Sequence, residues 1–187
     1  MNERRNGLRK ILKRVVRRGE SHTLSSGKIS DIYVDVRKVA LDGRGARLIG
    51  EALCHLTLEA STGPLPQAVA GVELGGIPLA TAVSLIADGR GWSLPVVAIR
   101  KTPKGYGTNR RLEIAETVPK RASVVLVDDV LTTGGTLLKI GVPALEEAGF
   151  TIAKILTVVD RQENEAREKI IEAGYSFNTI FTLAELL

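Results

Sequence analysis

A chain of 187 residues that is 44% hydrophobic and 25% charged can bury about 70% of the surface its unfolded form exposes, which excludes a disordered chain, a collagen-like repeat and a stapled mini-scaffold. A single cysteine, Cys54, excludes an intrachain disulfide and a Cys/His zinc cluster, so a reducing cytoplasm is expected. The formal net charge of +5 is not spread evenly: residues 1–18 hold eight Lys/Arg against Glu3, leaving the other 169 residues at about −2.

In that basic segment Leu8, Ile11, Leu12, Val15 and Val16 recur at helical spacing and predict an amphipathic helix stopped by Gly19. Such a helix can grip nucleic acid or an anionic membrane; the preferred reading is an apolar stripe packed on the body with a solvated basic face. No apolar stretch of a secretion signal comes after it. A helix is predicted over 44–60, with Cys54 at a buried position, and Ser-Thr-Gly-Pro-Leu-Pro at 61–66 breaks it. Next come a strand at 68–72, a helix at 77–87, and strands at 96–100 and 123–127. A helix over 136–148 ends at Gly149. A strand at 152–159, a helix at 164–173, a strand at 175–181 and a last turn from Thr182 complete the chain. The longest uncharged run, 74–87, is interrupted by Gly75, Gly76 and Pro78 and falls short of the roughly 18 residues a membrane span needs. Continuous apolar strands separated by helices predict a doubly wound α/β domain, mainly parallel, with helices on both faces.

One stretch breaks the alternation. Residues 101–111 are polar, contain Pro103, Gly105 and Gly107, and with Arg100 carry five positive charges before the first acid, Glu113. Connections of this length in a compact domain are commonly lids, and this one suits an anionic ligand.

The most specific signal is Val124-Val125-Leu126-Val127-Asp128-Asp129-Val130-Leu131-Thr132-Thr133-Gly134-Gly135-Thr136. A buried strand runs into two acids and then a Thr/Gly loop that opens a helix, at the strand end where open α/β sheets bind ligands. Residues 132–136 offer backbone N–H groups, hydroxyls and a helix N-terminus to a phosphate. Asp128 and Asp129 cannot also be phosphate ligands, because like charges repel; they match sugar hydroxyls or a divalent ion bridging ribose and phosphate oxygens. The order fits neither a Walker A loop nor a dinucleotide Gly-x-Gly-x-x-Gly.

This segment resembles the phosphoribosyl pyrophosphate signature of type I phosphoribosyltransferases, and further motifs are similar to the orotate phosphoribosyltransferases. Residues 24–33, Leu-Ser-Ser-Gly-Lys-Ile-Ser-Asp-Ile-Tyr, resemble the N-terminal hood over the base. Gly71-Val72-Glu73-Leu74-Gly75-Gly76-Ile77-Pro78 resembles the pyrophosphate loop, with Leu74 and Gly75 at its tip. Residues 100–108 resemble the mobile catalytic loop, and Val158-Val159-Asp160-Arg161-Gln162-Glu163 the strand end where an arginine meets orotate.

The resemblance implies one domain over 1–187, with a basic helix and hood in 1–40 and a core in 41–187 carrying a mobile loop at about 101–115. It implies transfer of ribose 5-phosphate from phosphoribosyl pyrophosphate to orotate, with Mg²⁺ held mainly through the substrate. Arg100, Lys101, Lys104, Asp128 and Asp129 are then the catalytic set. The donor would also meet Leu74, Gly75, Tyr106, Val130, Leu131, Thr132, Thr133, Gly134, Gly135 and Thr136, and orotate would meet Thr132, Arg161, Lys28 and Tyr33. A homodimer is implied by the family's habit of lending the loop to a neighbouring subunit; no membrane or nucleic-acid partner is implied. The chain departs from the family's pattern at Tyr106, where many bacterial relatives have His, at Leu112-Glu113-Ile114 in place of Ile-Glu-Gly, at Asp31 in place of Pro, and at Ser25 in place of Lys. A phosphoribosyltransferase for another base, and a non-catalytic sensor gripping nucleic acid through residues 1–18, are the competing readings.

Overall fold

The computed structural model describes residues 2–23, 29–59, 65–103 and 111–187. Helix α1 (Asn2–Lys13) buries Leu8 and Leu12. It stops earlier than the apolar spacing predicts, because Val15 and Val16 are drawn into pairing with another segment. Val16 opens strand β1 (Val16–Thr23), which pairs antiparallel with β2 (Ile29–Val34) in the register Val16↔Val34, and the Val15 carbonyl accepts from the Asp35 N–H. Two β-branched residues favour the extended chain, and Gly19 is not a helix stop but a residue of β1 with φ 84°. The expected hood therefore includes a hairpin. Short α2 (Arg37–Ala40) leads into α3 (Gly43–Leu58), whose first turn is capped by the Asp42 carboxylate accepting from the Arg44 and Gly45 N–H groups.

The remaining elements are β3 (Ala68–Val72), α4 (Gly76–Asp88), β4 (Val96–Ile99), β5 (Leu112–Ile114), β6 (Ser123–Leu131), α5 (Val142–Glu147), β7 (Thr151–Asp160), α6 (Ala166–Glu172), β8 (Phe177–Thr182) and α7 (Leu183–Leu186). Among the described residues they form a six-stranded sheet in the order β5-β4-β3-β6-β7-β8, parallel except for β5. The expected fold class holds, with an antiparallel edge added. Residues 112–114, placed in the loop by the sequence, form that edge by pairing Val97↔Ile114.

Alternate residues of each strand feed two cores. Val69, Val125, Val127, Leu156 and Val158 pack with α1, α3 and α4. Ala70, Val72, Val124, Leu126 and Ile155 pack with α5 and α6. The helix predicted over 136–148 is divided: residues 137–141 form a π-helical turn in which the Val142 N–H donates to the Leu137 carbonyl. Pro143, lacking an N–H, cannot extend an α-helical ladder back to Lys139. The chain order runs from β3 outward to β4 and then returns to β6 on the other side of β3. This reversal opens a crevice at the carboxyl ends of β3 and β6.

Candidate functional site

A cavity of about 260 Å³ occupies that crevice. Its walls are Glu73, Leu74 and Gly75 after β3, Lys101 after β4, residues 128–132 and 134–137 of β6 and the segment that follows it, Arg161 after β7, and Tyr33, Val34 and Arg37 of the hood. Close packing builds the first wall. A Cβ on Gly71 would lie 2.2 Å from the Gly76 carbonyl, and one on Gly75 would lie 2.5 Å from the Asp129 Cγ. The turn can thus touch both β3 and the acid of β6 only with glycine at those places. The Glu73–Leu74 peptide is cis. Gly75 caps α4 with no side-chain acceptor, so the helix presents its free amides and positive dipole end at this turn.

The two acids sit inside the last part of β6 rather than beyond it. The Asp129 N–H donates to Asp128 Oδ1 at 3.0 Å, and the Val130 N–H to Asp129 Oδ1 at 2.8 Å. Asp128 is 7% exposed. Burial, and then the neighbouring charge of Asp129, hold its carboxyl well above the usual carboxylate range, while Lys101 draws it back. A cation beside this pair relieves both effects. After β6, Gly134 takes φ 74°, a left-handed conformation that glycine adopts without steric cost. The Thr133 hydroxyl turns back to accept from the Gly135 N–H at 3.4 Å.

Of the residues named from sequence, Tyr33, Leu74, Gly75, Lys101, Asp128, Asp129, Val130, Leu131, Thr132, Gly134, Gly135, Thr136 and Arg161 line this one cavity. Thr133 and Arg100 are not among the lining residues. Arg100 Nε instead donates to Glu113 Oε1 of β5 at 3.1 Å, because the antiparallel edge strand sets that acid beside it. Lys28, Lys104 and Tyr106 lie outside the described residues.

Arg161 is anchored from two sides. Its Nε and Nη2 donate to Glu163 Oε1 at 3.1 and 2.7 Å, and its Nη1 donates to the Ile32 carbonyl at 2.9 Å. The turn that carries it holds Gln162, Asn164 and Glu165 at positive φ and is fastened by the Gln162 N–H on Asp160 Oδ1 and by Asn164 Nδ2 on the Thr132 carbonyl. Tying β2 to β7 brings the hood over the sheet end.

Sequence reasoning missed Val34, Leu137, Glu73 and Arg37. Glu73 Oε1 accepts the Lys101 N–H at 2.6 Å, fixing where the 101–111 segment departs; the switch from Val72 to an acid at a strand end was its available signal. Arg37 had no local signal, since it reaches the cavity only through the folding of the hood. A roomier groove of about 630 Å³ between α1, α3 and β8 draws on none of the strand-end loops, and its Arg4 is paired with Glu51.

Residues 45–181 match the phosphoribosyl transferase domain. The chain is 42% identical over 164 residues to the orotate phosphoribosyltransferase of Thermococcus gammatolerans, covering 88% of this chain and 81% of that one. It is 36% identical over 186 residues to the orotate phosphoribosyltransferase of Methanocaldococcus jannaschii, covering 98% and 97%. The crystal structure of Mycobacterium tuberculosis H37Rv orotate phosphoribosyltransferase in complex with phosphoribosyl diphosphate superposes with a TM-score of 0.76 at 30% identity, covering 98% of each chain. With its signature strand, acids and Thr/Gly loop meeting at one crevice, the chain belongs to the phosphoribosyltransferase family, in its orotate phosphoribosyltransferase branch.

Proposed function

We propose that the protein is an orotate phosphoribosyltransferase, transferring ribose 5-phosphate from phosphoribosyl pyrophosphate to orotate to give orotidine 5′-monophosphate and pyrophosphate, a step of pyrimidine biosynthesis. The observation that carries this reading is the convergence in one cavity of two glycine-containing turns, Glu73–Gly75 and the segment from Thr132 to Thr136, with the carboxylates of Asp128 and Asp129 beside them. A donor with phosphate at one end, pyrophosphate at the other and a hydroxylated ring between has that pattern.

In the reaction the C1′–O bond breaks with its electron pair leaving on pyrophosphate, and a bond from C1′ to the base nitrogen forms while that nitrogen's N–H bond breaks and its proton passes to solvent. The ribose carbon becomes cationic and the leaving group gains charge. Residues 132–136 hold the 5′-phosphate. Asp128 and Asp129 hold the ribose hydroxyls and set negative charge near the developing oxocarbenium. Lys101 and the amides of the 73–76 turn receive the pyrophosphate. Mg²⁺ is the expected cofactor; the carboxylate pair fits it, because a cation offsets the charge that burial and proximity make costly at Asp128. When bound, it would neutralise pyrophosphate charge. Arg161 is the expected partner of the orotate carboxylate, with Thr132 beside it and Tyr33 and Lys28 on the hood.

The working unit we propose is a homodimer. In the proposed dimer the segment that leaves after Arg100, which is paired with Glu113, carries Lys104 and Tyr106 to a second copy. A cytoplasmic location belongs to this reading and is supported by the free, buried Cys54. Among the described residues no helix is long and apolar enough to cross a membrane. The deciding experiment monitors orotate absorbance with phosphoribosyl pyrophosphate and Mg²⁺, with uracil, hypoxanthine and adenine in parallel. Consumption of orotate that needs both additions is expected; consumption of another base, or of none, overturns the reading.

A further inference from the structure

The assigned cations that line the described cavity come from its sheet side: Lys101 lies after β4 and Arg161 after β7. The hood contributes another. Arg37, the first residue of α2, lines the same cavity. Its Nε donates to Asp35 Oδ1 at 2.9 Å and its Nη2 to the Tyr33 hydroxyl at 2.7 Å. Among the described residues Nη1 meets no hydrogen-bond acceptor, and the side chain keeps 41% exposure. A guanidinium braced on two edges and open on the third has little rotamer freedom left to lose when an anion arrives.

Its neighbours identify which anion. Arg37 lines the cavity together with Asp129, Leu74 and Gly75. The Asp129 carboxylate packs on Gly75, where a Cβ would stand 2.5 Å from its Cγ. Gly75 is the uncapped start of α4. Arg37 thus faces the same cavity as residues 73–75 of that turn. The loop at 132–136 has its own amides for the 5′-phosphate, and Arg161 is fastened to Glu163 on the base side.

We infer that Arg37 is a donor-binding residue, supplying from the hood a guanidinium to the pyrophosphate group of the ribosyl donor. Closing the hood and binding the donor are thereby linked, since Asp35 and Tyr33 that brace Arg37 belong to β2 and the chain leaving it. This rests on the phosphoribosyltransferase reading.

The test compares the full chain with Arg37→Gln and Arg37→Lys, with circular dichroism to confirm folding. Binding of inorganic pyrophosphate, ribose 5-phosphate and orotate is measured in Mg²⁺, together with KM for each substrate. Removing a charge-assisted hydrogen bond should weaken pyrophosphate and raise KM for phosphoribosyl pyrophosphate about tenfold to a hundredfold in Arg37→Gln. Arg37→Lys should recover part of that loss, and ribose 5-phosphate and orotate should bind as before. Equal weakening of all three ligands would make Arg37 a brace of the hood and overturn the inference, as would unchanged pyrophosphate binding. A loss confined to orotate overturns it in favour of the base. Wild-type protein that neither binds phosphoribosyl pyrophosphate nor consumes a base overturns the underlying reading as well; active wild-type protein matched by Arg37→Gln overturns this inference alone.

Discussion

The role proposed for Asp128 costs stability near neutrality. The Asp128 carboxyl is raised by burial and by Asp129, so the folded protein binds more protons than the unfolded chain between the ordinary value of 3.8 and the raised one. This contribution is fully present below the unfolded value and is lost as pH rises through the folded one. Asp128→Asn keeps the acceptor for the Asp129 N–H and removes the charge. The variant should melt higher than wild type near neutrality, by about 2–4 °C per kcal/mol relieved, and the gap should close toward pH 4 while activity is lost. Melting curves across pH check this; a gap independent of pH removes Asp128 as its origin. Lys101→Ala should lower kcat by about 10²–10³, the usual effect of losing one preorganised electrostatic contact, with circular dichroism unchanged. Wild-type turnover in that variant would take Lys101 out of the mechanism.

At the scale of elements, the basic segment, α1 and the start of β1, serves the fold. Arg5 Nη2 reaches Glu185 and the Ile180 carbonyl at 2.6 and 3.0 Å, Arg9 Nε the Glu185 carbonyl at 2.8 Å, and Arg18 Nη2 the Leu187 carbonyl at 2.7 Å. The first and last helices are latched together. Burial raises the Glu185 carboxyl, but the Arg5 and Thr182 hydrogen bonds outweigh it and leave it below its usual value. Its contribution is therefore present above the unfolded value and lost as pH falls. Glu185→Ala should cost about 1 kcal/mol, discounted because the pair is partly exposed, visible as a melting point lowered by about 2–4 °C and shrinking in high salt. In the 73–76 turn, Gly75→Ala should displace the Asp129 carboxylate, raising KM for phosphoribosyl pyrophosphate while leaving the core folded. Unaltered donor kinetics would show that the turn can shift away.

For the molecule as a whole, the proposed dimer makes a prediction that no single chain can satisfy. Lys104→Ala and Asp129→Asn should each be nearly inactive alone. Mixed under conditions of subunit exchange, they should regain activity, because one hybrid site combines an intact loop with intact acids. Recovery absent from a mixture shown to exchange would place each loop on its own site.

Composition, the strand-to-acid-to-glycine order and the alternation of β-branched runs with helices determined the α/β class, the parallel core and most of the cavity lining, because all are written in local pattern. Thr132 to Thr136 and Asp128-Asp129 are contiguous, so one strand end delivers them together. Other features depended on partners far along the chain. Val15 and Val16 fit a helix stripe until residues 34 and 35 pair with them, and Leu112–Ile114 read as loop until β4 offers an edge. Arg100 looks like a free cation until that pairing brings Glu113 to it. Arg37 carries no motif; only the hairpin folded over the sheet end, and Arg161 holding the Ile32 carbonyl, bring it to the cavity. Sequence pattern reports what a residue's neighbours in the chain demand, whereas cross-strand pairing and hood closure are set by contacts whose sequence separation leaves no periodic trace.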